Sequence, residues 1–180
     1  MPAPRRATEI HAATLRILTE RGYDGLTIEG VAAAAGVNKT TIYRWWPGKD
    51  ELIADSVRES HLTRLDTPDT GSLRGDVEAL LNQVADILTS PTGRSIAAAT
   101  ITDSNPAITA FARNVLGERA AIEQTVLDRA VGRGEIADTD ARDLFVPAMG
   151  ALWLRILVLR EDPQVAHLAD RVVKEATRGT

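Results

Sequence analysis

The 180-residue chain contains no cysteine. Disulfides and thiolate metal sites are therefore excluded, and a reducing compartment is permitted. Histidine is scarce as well. His11, His61 and His167 are the only three, and none has a second at i+3 or i+4 to make a metal pair on a helix. Nothing in the sequence calls for a metal or a cofactor. The longest apolar run, Leu144 to Leu159, is broken by Pro147, Gly150 and Arg155 and is shorter than a membrane span. The opening MPAPRRATEI has no apolar core of signal-peptide length. A cytoplasmic protein with no membrane partner is the expectation. Convincing strand patterns are missing too. Aromatic residues make up only 4% of the chain, yet Tyr43, Trp45 and Trp46 crowd into one stretch, NKTTIYRWWPGKD.

The composition that remains is globular, with 44% apolar and 26% charged residues. The length suits one ordinary domain, or a small module joined to a larger one. Net charge is −4, which does not advertise nucleic-acid binding. Its distribution is more telling. Residues 1–50 carry seven Lys or Arg against five Asp or Glu, a net of +2 that leaves −6 for the rest.

Nearly every segment has helical period. Ile10, Ala13, Thr14, Ile17 and Leu18 share one face of a first helix, which RGYDG closes. Thr27 is placed to cap TIEGVAAAAG, with Glu29 in the first turn where the helix dipole favours an acid. Gly36 suits the left-handed end of that helix. Asn38 then caps a very short helix ending near Trp46, and Pro47 forbids its continuation. A fourth helix begins at GKDELIADSV. DTPDTGSLRG, residues 66–75, reads as a linker. Five more helices follow, one from Ser72. Ser90-Pro91, Asn105-Pro106 and Asp162-Pro163 each signal a helix start, and DTDARD opens the apolar helix that runs to about Arg160. The expectation is an all-α protein of about nine helices. Residues 1–66 would form a three-helix head with a fourth helix linking it to the body, and residues 67–180 the body.

The two short helices joined by AGVN make a helix-turn-helix pattern. Val31, Val37 and Ile42 are spaced to pack them on the first helix, and Trp46, four after Ile42, turns inward with it. Thr40, Tyr43 and Arg44 share another face, with Lys39 beside them. In a major groove that face meets base edges. Lysine and arginine donate to guanine N7 and O6, and a threonine methyl touches thymine. Lys49 opens the next helix, where the dipole already suits phosphate.

TIEGVAAAAGVNKTTIYRWWPGKDELI resembles the DNA-binding signature of the tetracycline-repressor (TetR) family. The likeness is closest over Arg6 to Asp55. The later TGSLRGDVEALLNQVADILTSPTGRSIAA, DSNPAI and LDRAVGRGEI are similar to one common type of C-terminal domain in that family. The resemblance implies that Lys39, Thr40 and Arg44 read bases, with Thr41 at the groove edge. It implies phosphate contacts from Thr27, Lys49 and the Tyr43 hydroxyl. Trp46 takes the family's core aromatic position. Trp45 departs from the usual pattern, where a polar residue is frequent. It either packs on sugar-phosphate or a thymine methyl, or supports the fourth helix.

Plainer readings stand beside these. A charged face of Lys39, Arg44 and Lys49 is ordinary when each is taken singly. Arg5 and Arg6 form either a minor-groove arm or a disordered tail. Phe111, Phe145, Met149 and Trp153 either line a ligand pocket or are plain core. No Ser-His-Asp spacing, phosphate loop or carboxylate pair appears, so an enzyme is not expected. Leu152, Ile156, Leu168 and Val172, on the two late helices, are expected at a four-helix homodimer interface. The function expected is a ligand-responsive regulator, a repressor by resemblance. It would bind a pseudo-palindromic double-stranded DNA operator as a homodimer and be released by a small-molecule effector. The alternative is a helical small-molecule-binding or interaction protein that does not bind DNA.

Overall fold

The structure, a computed structural model, describes residues 6–60, 64–101, 106–137 and 141–179; the side chains of 98–101, 106–116, 141 and 179 stand outside that description. The described residues are all helical and loop, without a strand. The order is α1 (Ala7–Arg21), α2 (Ile28–Ala35), α3 (Lys39–Tyr43), α4 (Lys49–Glu59), α5 (Leu73–Thr89), α6 (Pro91–Ile101), α7 (Pro106–Gly132), α8 (Ala141–Trp153) and α9 (Val165–Ala176). A π-helical segment, Leu154–Leu159, continues α8, and a short 3-10 turn, Thr177–Gly179, follows α9. No helix among the described residues is long and apolar enough to cross a membrane.

The chain divides into two compact units, Met1–Arg64 with Ser90–Arg113, and Leu65–Thr89 with Asn114–Thr180. In the first unit, Ile10, Ile17 and Leu18 of α1 meet Val31 of α2, Ile42 of α3, and Leu52 and Ile53 of α4 in one core. Burying a leucine or isoleucine of this kind contributes about 1.5–3 kcal/mol. In the second unit, Leu73, Val77, Leu80 and Leu81 of α5 are buried. That helix packs against α9 and α8.

Helix starts follow local chemistry. Ser90 Oγ accepts from the Gly93 amide at 3.0 Å ahead of Pro91, and Ser72 Oγ accepts from Gly75 at 3.2 Å. The α5 terminus also donates the Leu73 amide to Glu135 Oε2 at 2.8 Å. That bond, helped by Arg133, holds the Glu135 carboxyl below the usual range. At Asp162-Pro163 the outcome differs from the expectation. Asp162 Oδ1 accepts from the Gln164 amide at 2.7 Å, and Gln164 sits at φ 52°, so the helix waits until Val165. The aspartate closes a turn instead of capping a helix. Helix α3 is also shorter than expected. It ends at Tyr43, although the Trp46 amide still reaches the Ile42 carbonyl at 2.9 Å.

The stretch that reads as a linker is fastened down. Asp76, fully buried, accepts from the Thr70 amide at 2.6 Å, the Thr70 hydroxyl at 2.8 Å and Arg133 at 3.1 Å. Arg129 donates to the Pro68 carbonyl at 2.8 Å, and Asp66 pairs through its backbone with the Gln83 amide group. Glycine and proline here mark an irregular path that carries its own polar partners.

Glu123 of α7 is 3% exposed and lies 2.9 Å from Arg119. Burial pushes its carboxyl above the usual range, and the Arg119 charge offsets only part of that shift. The folded state therefore binds this proton more tightly than the unfolded chain does. Its contribution to stability is complete at low pH and falls as pH rises through the raised value. Glu123→Gln removes that titration. In urea melts, the stability difference should move in the variant's favour as pH rises from about 4 to 7; a difference independent of pH would contradict the assignment.

Candidate nucleic-acid interface

The head positions α3 through its caps. Thr27 Oγ1 accepts from the Gly30 amide at 3.1 Å and starts α2. Gly36 ends it at φ 65°, ψ 38°, the left-handed geometry in which glycine pays no Cβ penalty. Asn38 Oδ1 then accepts from both the Thr40 amide and the Thr40 hydroxyl at 3.0 Å. Arg6, read in the sequence as part of an arm or tail, has a defined place. Its guanidinium donates to the Gly36 carbonyl at 3.0 Å and pairs with Glu9 at 3.3 Å. The start of α1 is thereby pinned to the turn between α2 and α3. Arg5 lies outside the described residues.

Residues 38–50 separate by face. Ile42 is fully buried and Trp46 nearly so. The Trp46 indole donates to Asp55 Oδ2 at 2.9 Å and meets the His11 ring edge-on at 5.3 Å. Lys39, Thr40, Tyr43 and Arg44 are exposed, Thr41 partly so. Lys39 lies 3.5 Å from Glu29 of α2, an exposed pair. Trp45 is half-buried and packs against the head core. Lys49 is half-buried as well. Its ammonium donates to the Tyr23 carbonyl at 3.2 Å and sits 3.9 Å from the centre of the Tyr23 ring. The Tyr23 hydroxyl in turn donates to Asp50 Oδ1 at 2.5 Å. So the first turn of α4 is locked to the turn after α1 by a cation over an aromatic ring.

Three contributors escaped the sequence reading. RGYDG reads only as a helix stop, but its tyrosine holds Lys49. Asp55 reads as one polar residue of α4, but it receives the Trp46 indole. Glu29 reads as a dipole partner, but it also faces Lys39. No motif announces these pairs, because each joins residues at least nine apart in sequence on different elements.

The body residues fall into two groups. Phe145 and Met149 are buried and Trp153 half-buried. None of the three lines the groove beside Leu144, Pro147, Leu168 and Arg171, whose volume is about 280 Å³. The Phe111 side chain lies outside the described residues. Leu152, Ile156, Leu168 and Val172, expected at a dimer interface, are buried within the single chain. They face the body's own core because α5, α8 and α9 already cover them. Among the described residues, the large apolar side chains left exposed are Val146, Leu154, Val158 and Leu159, together with Tyr43 in the head.

Residues 10–55 match the family described as bacterial regulatory proteins, tetR family, and residues 67–176 match the tetracyclin repressor-like C-terminal domain. The chain belongs to the tetracycline-repressor family. An HTH-type transcriptional regulator of Mycobacterium bovis is 34% identical over 185 residues, covering 99% of this chain and 92% of its own. A DNA-binding transcriptional repressor TetR of Mycobacteroides abscessus is 31% identical over 175 residues, covering 93% of this chain and 92% of its own. Among solved structures, a TetR family transcription regulator superposes with a TM-score of 0.68 at 29% identity, over 96% of this chain and 97% of the other. A TetR transcriptional regulator from Agrobacterium tumefaciens shares the fold, with a TM-score of 0.74 at 18% identity over 96% and 93% of the two chains. The protein is a DNA-binding transcriptional regulator of this family and not an enzyme.

The Asn38 cap generates a direct test within the family's recognition element. Asn38→Ala should cost about 1 kcal/mol in a urea melt, whereas Asn38→Asp should keep most of the stability. Equal stability of all three chains would show that the cap does not hold α3.

Proposed function

We propose that the protein is a homodimeric repressor that binds a pseudo-palindromic operator and leaves it when a small-molecule effector enters the body. The observation that carries the proposal is the outward set on a capped and buried α3. Lys39, Thr40 and Arg44 stand free of the core, while Ile42 and Trp46 fix the helix behind them. In the groove, Lys39, Thr40 and Arg44 read base edges. Thr41 lies at the groove edge, Thr27 and Lys49 meet phosphate at the starts of α2 and α4, and the Tyr43 hydroxyl meets it from the end of α3. Lys49 stays over Tyr23 while its remaining donors turn outward. The Mycobacteroides abscessus relative, named a repressor, supports the direction of control.

Dimerisation is supported by the exposed apolar side chains of the α8 segment. Val158 is 66% exposed, and Leu154 and Leu159 are each 50% exposed. They take the role first assigned to Leu152, Ile156, Leu168 and Val172. A second copy related by a two-fold axis covers such a face and sets two recognition helices one helical turn apart. The effector site proposed from Phe145, Met149 and Trp153, all in the second unit, is apolar. An effector must prefer the released state by a few kcal/mol to empty the operator.

Mobility shifts on the DNA flanking the protein's own gene test the reading. Salt-dependent, sequence-specific binding is expected, and its absence would sink the proposal. Arg44→Ala should cost about 1–3 kcal/mol on operator and relax specificity at one base pair, read by binding to single-base operator variants. Val158→Asp should shift the protein to monomer in analytical ultracentrifugation and weaken operator binding at least about tenfold, since burying an unpaired charge is costly. An unchanged dimer would place the interface elsewhere.

A further inference from the structure

A groove of about 720 Å³ opens in the head, with His11, Leu15, Trp45, Trp46, Asp55 and Glu59 among its lining residues; Lys39, Thr40 and Arg44 do not line it. The volume lies within the range of small-molecule sites, about 300–1,000 Å³. Its chemistry is one-sided. Among the described residues, the lining includes two carboxylates and no lysine or arginine. Arg58 reaches Asp55 Oδ1 at 2.9 Å from outside the lining, on a side chain 64% exposed. The other oxygen, Oδ2, accepts the Trp46 indole at 2.9 Å. It stands 3.6 Å from His11 Nε2, a buried nitrogen with no hydrogen-bond partner. Two indoles beside two carboxylates favour a cation, because ring quadrupole and carboxylate attract the same sign of charge. Phosphates and other anions are disfavoured by the two carboxylates there. A neutral apolar molecule gains the packing surface without the charge term.

We propose that this groove binds a small organic cation, an alkyl- or arylammonium. Its apolar body packs on Leu15 and Trp45, and its charge faces Asp55 and Glu59. The site lies in the head and is independent of the effector pocket proposed for the body. It places a ligand against the segment that ends the recognition helix, since Trp45 lies two residues beyond Tyr43.

The test uses the full-length protein without DNA and benzyltrimethylammonium as the probe, followed by calorimetry and by tryptophan fluorescence. Saturable binding is expected. Neopentylbenzene, the uncharged isostere, should bind at least about tenfold more weakly, the scale of a desolvated cation–aromatic contact. Asp55→Asn keeps an acceptor for the Trp46 indole and should weaken the cation at least about tenfold. Trp45→Leu should weaken it by a similar factor and remove most of the fluorescence change. Trp153→Phe, in the body, should leave cation affinity unaltered. Circular dichroism melts show which variants fold. Glu59→Gln, at the surface, takes the place of Asp55→Asn should that chain not fold, with a loss of about threefold expected. The proposal is overturned by absent saturation, by an isostere that binds as tightly, or by wild-type affinity in the folded carboxylate variant or in Trp45→Leu. Loss of binding in Trp153→Phe with the head variants unaffected would also overturn it, by moving the cation to the body.

Discussion

A helix of five residues has no stability of its own, because nucleation fixes more backbone freedom than so few hydrogen bonds return. The recognition helix, Lys39–Tyr43, is such a helix, and the rest of the head is organised around holding it. Asn38 satisfies its first amides, Ile42 anchors it to the core, and Trp46 anchors the chain just after it. Arg6 holds the turn before it from the start of α1, and the Lys49–Tyr23 contact holds the helix after it. The outward side chains of α3 are then few, exposed and rigidly mounted. Side chains on a preorganised element lose less entropy on binding than side chains on a mobile one.

Much of this frame is visible in the letters alone. Thr27, Gly36 and Asn38 act through local chemistry, a side-chain oxygen two or three residues from its amide or a backbone angle that glycine tolerates. Spacing alone turns Ile42 and Trp46 inward together. Ser90-Pro91 and the proline of Pro106 mark helix starts for the same local reason. Asp162-Pro163 misleads because the same aspartate oxygen serves equally well in a tight turn, and Gln164 takes the left-handed conformation that a helix start cannot use. The sequence likewise shows that α8 and α9 are apolar, but periodicity does not say what covers an apolar face. Leu152 and Val172 are covered by their own chain, and Val158 is not. That distinction depends on tertiary packing across residues far apart in sequence. The partners of Lys49 and Trp46 were illegible for the same reason, as was the position of Arg6.

The body solves a different problem, an irregular crossing between helices. Residues 64–72 have no regular backbone pairing. Their polar groups are instead satisfied by α5 and α7: Asp76, Gln83 and Arg129 take Thr70, Asp66 and Pro68. A buried aspartate with three donors is well satisfied, and the segment it holds behaves as part of the body rather than as a spacer. Composition suggests flexibility here, while the hydrogen bonds show a fixed path.

The pair between Lys39 and Glu29 has a consequence for solution thermodynamics. In the proposed DNA complex, a Lys39 that moves to a base edge would leave the Glu29 carboxylate behind, facing the same polyanion. The exchange releases fewer counterions than a free lysine would, so counting basic residues overstates the salt dependence of DNA binding. The stranded carboxylate also lies near any phosphate backbone, matched or not. It thus acts as a constant penalty on random DNA, which only a correct base contact offsets.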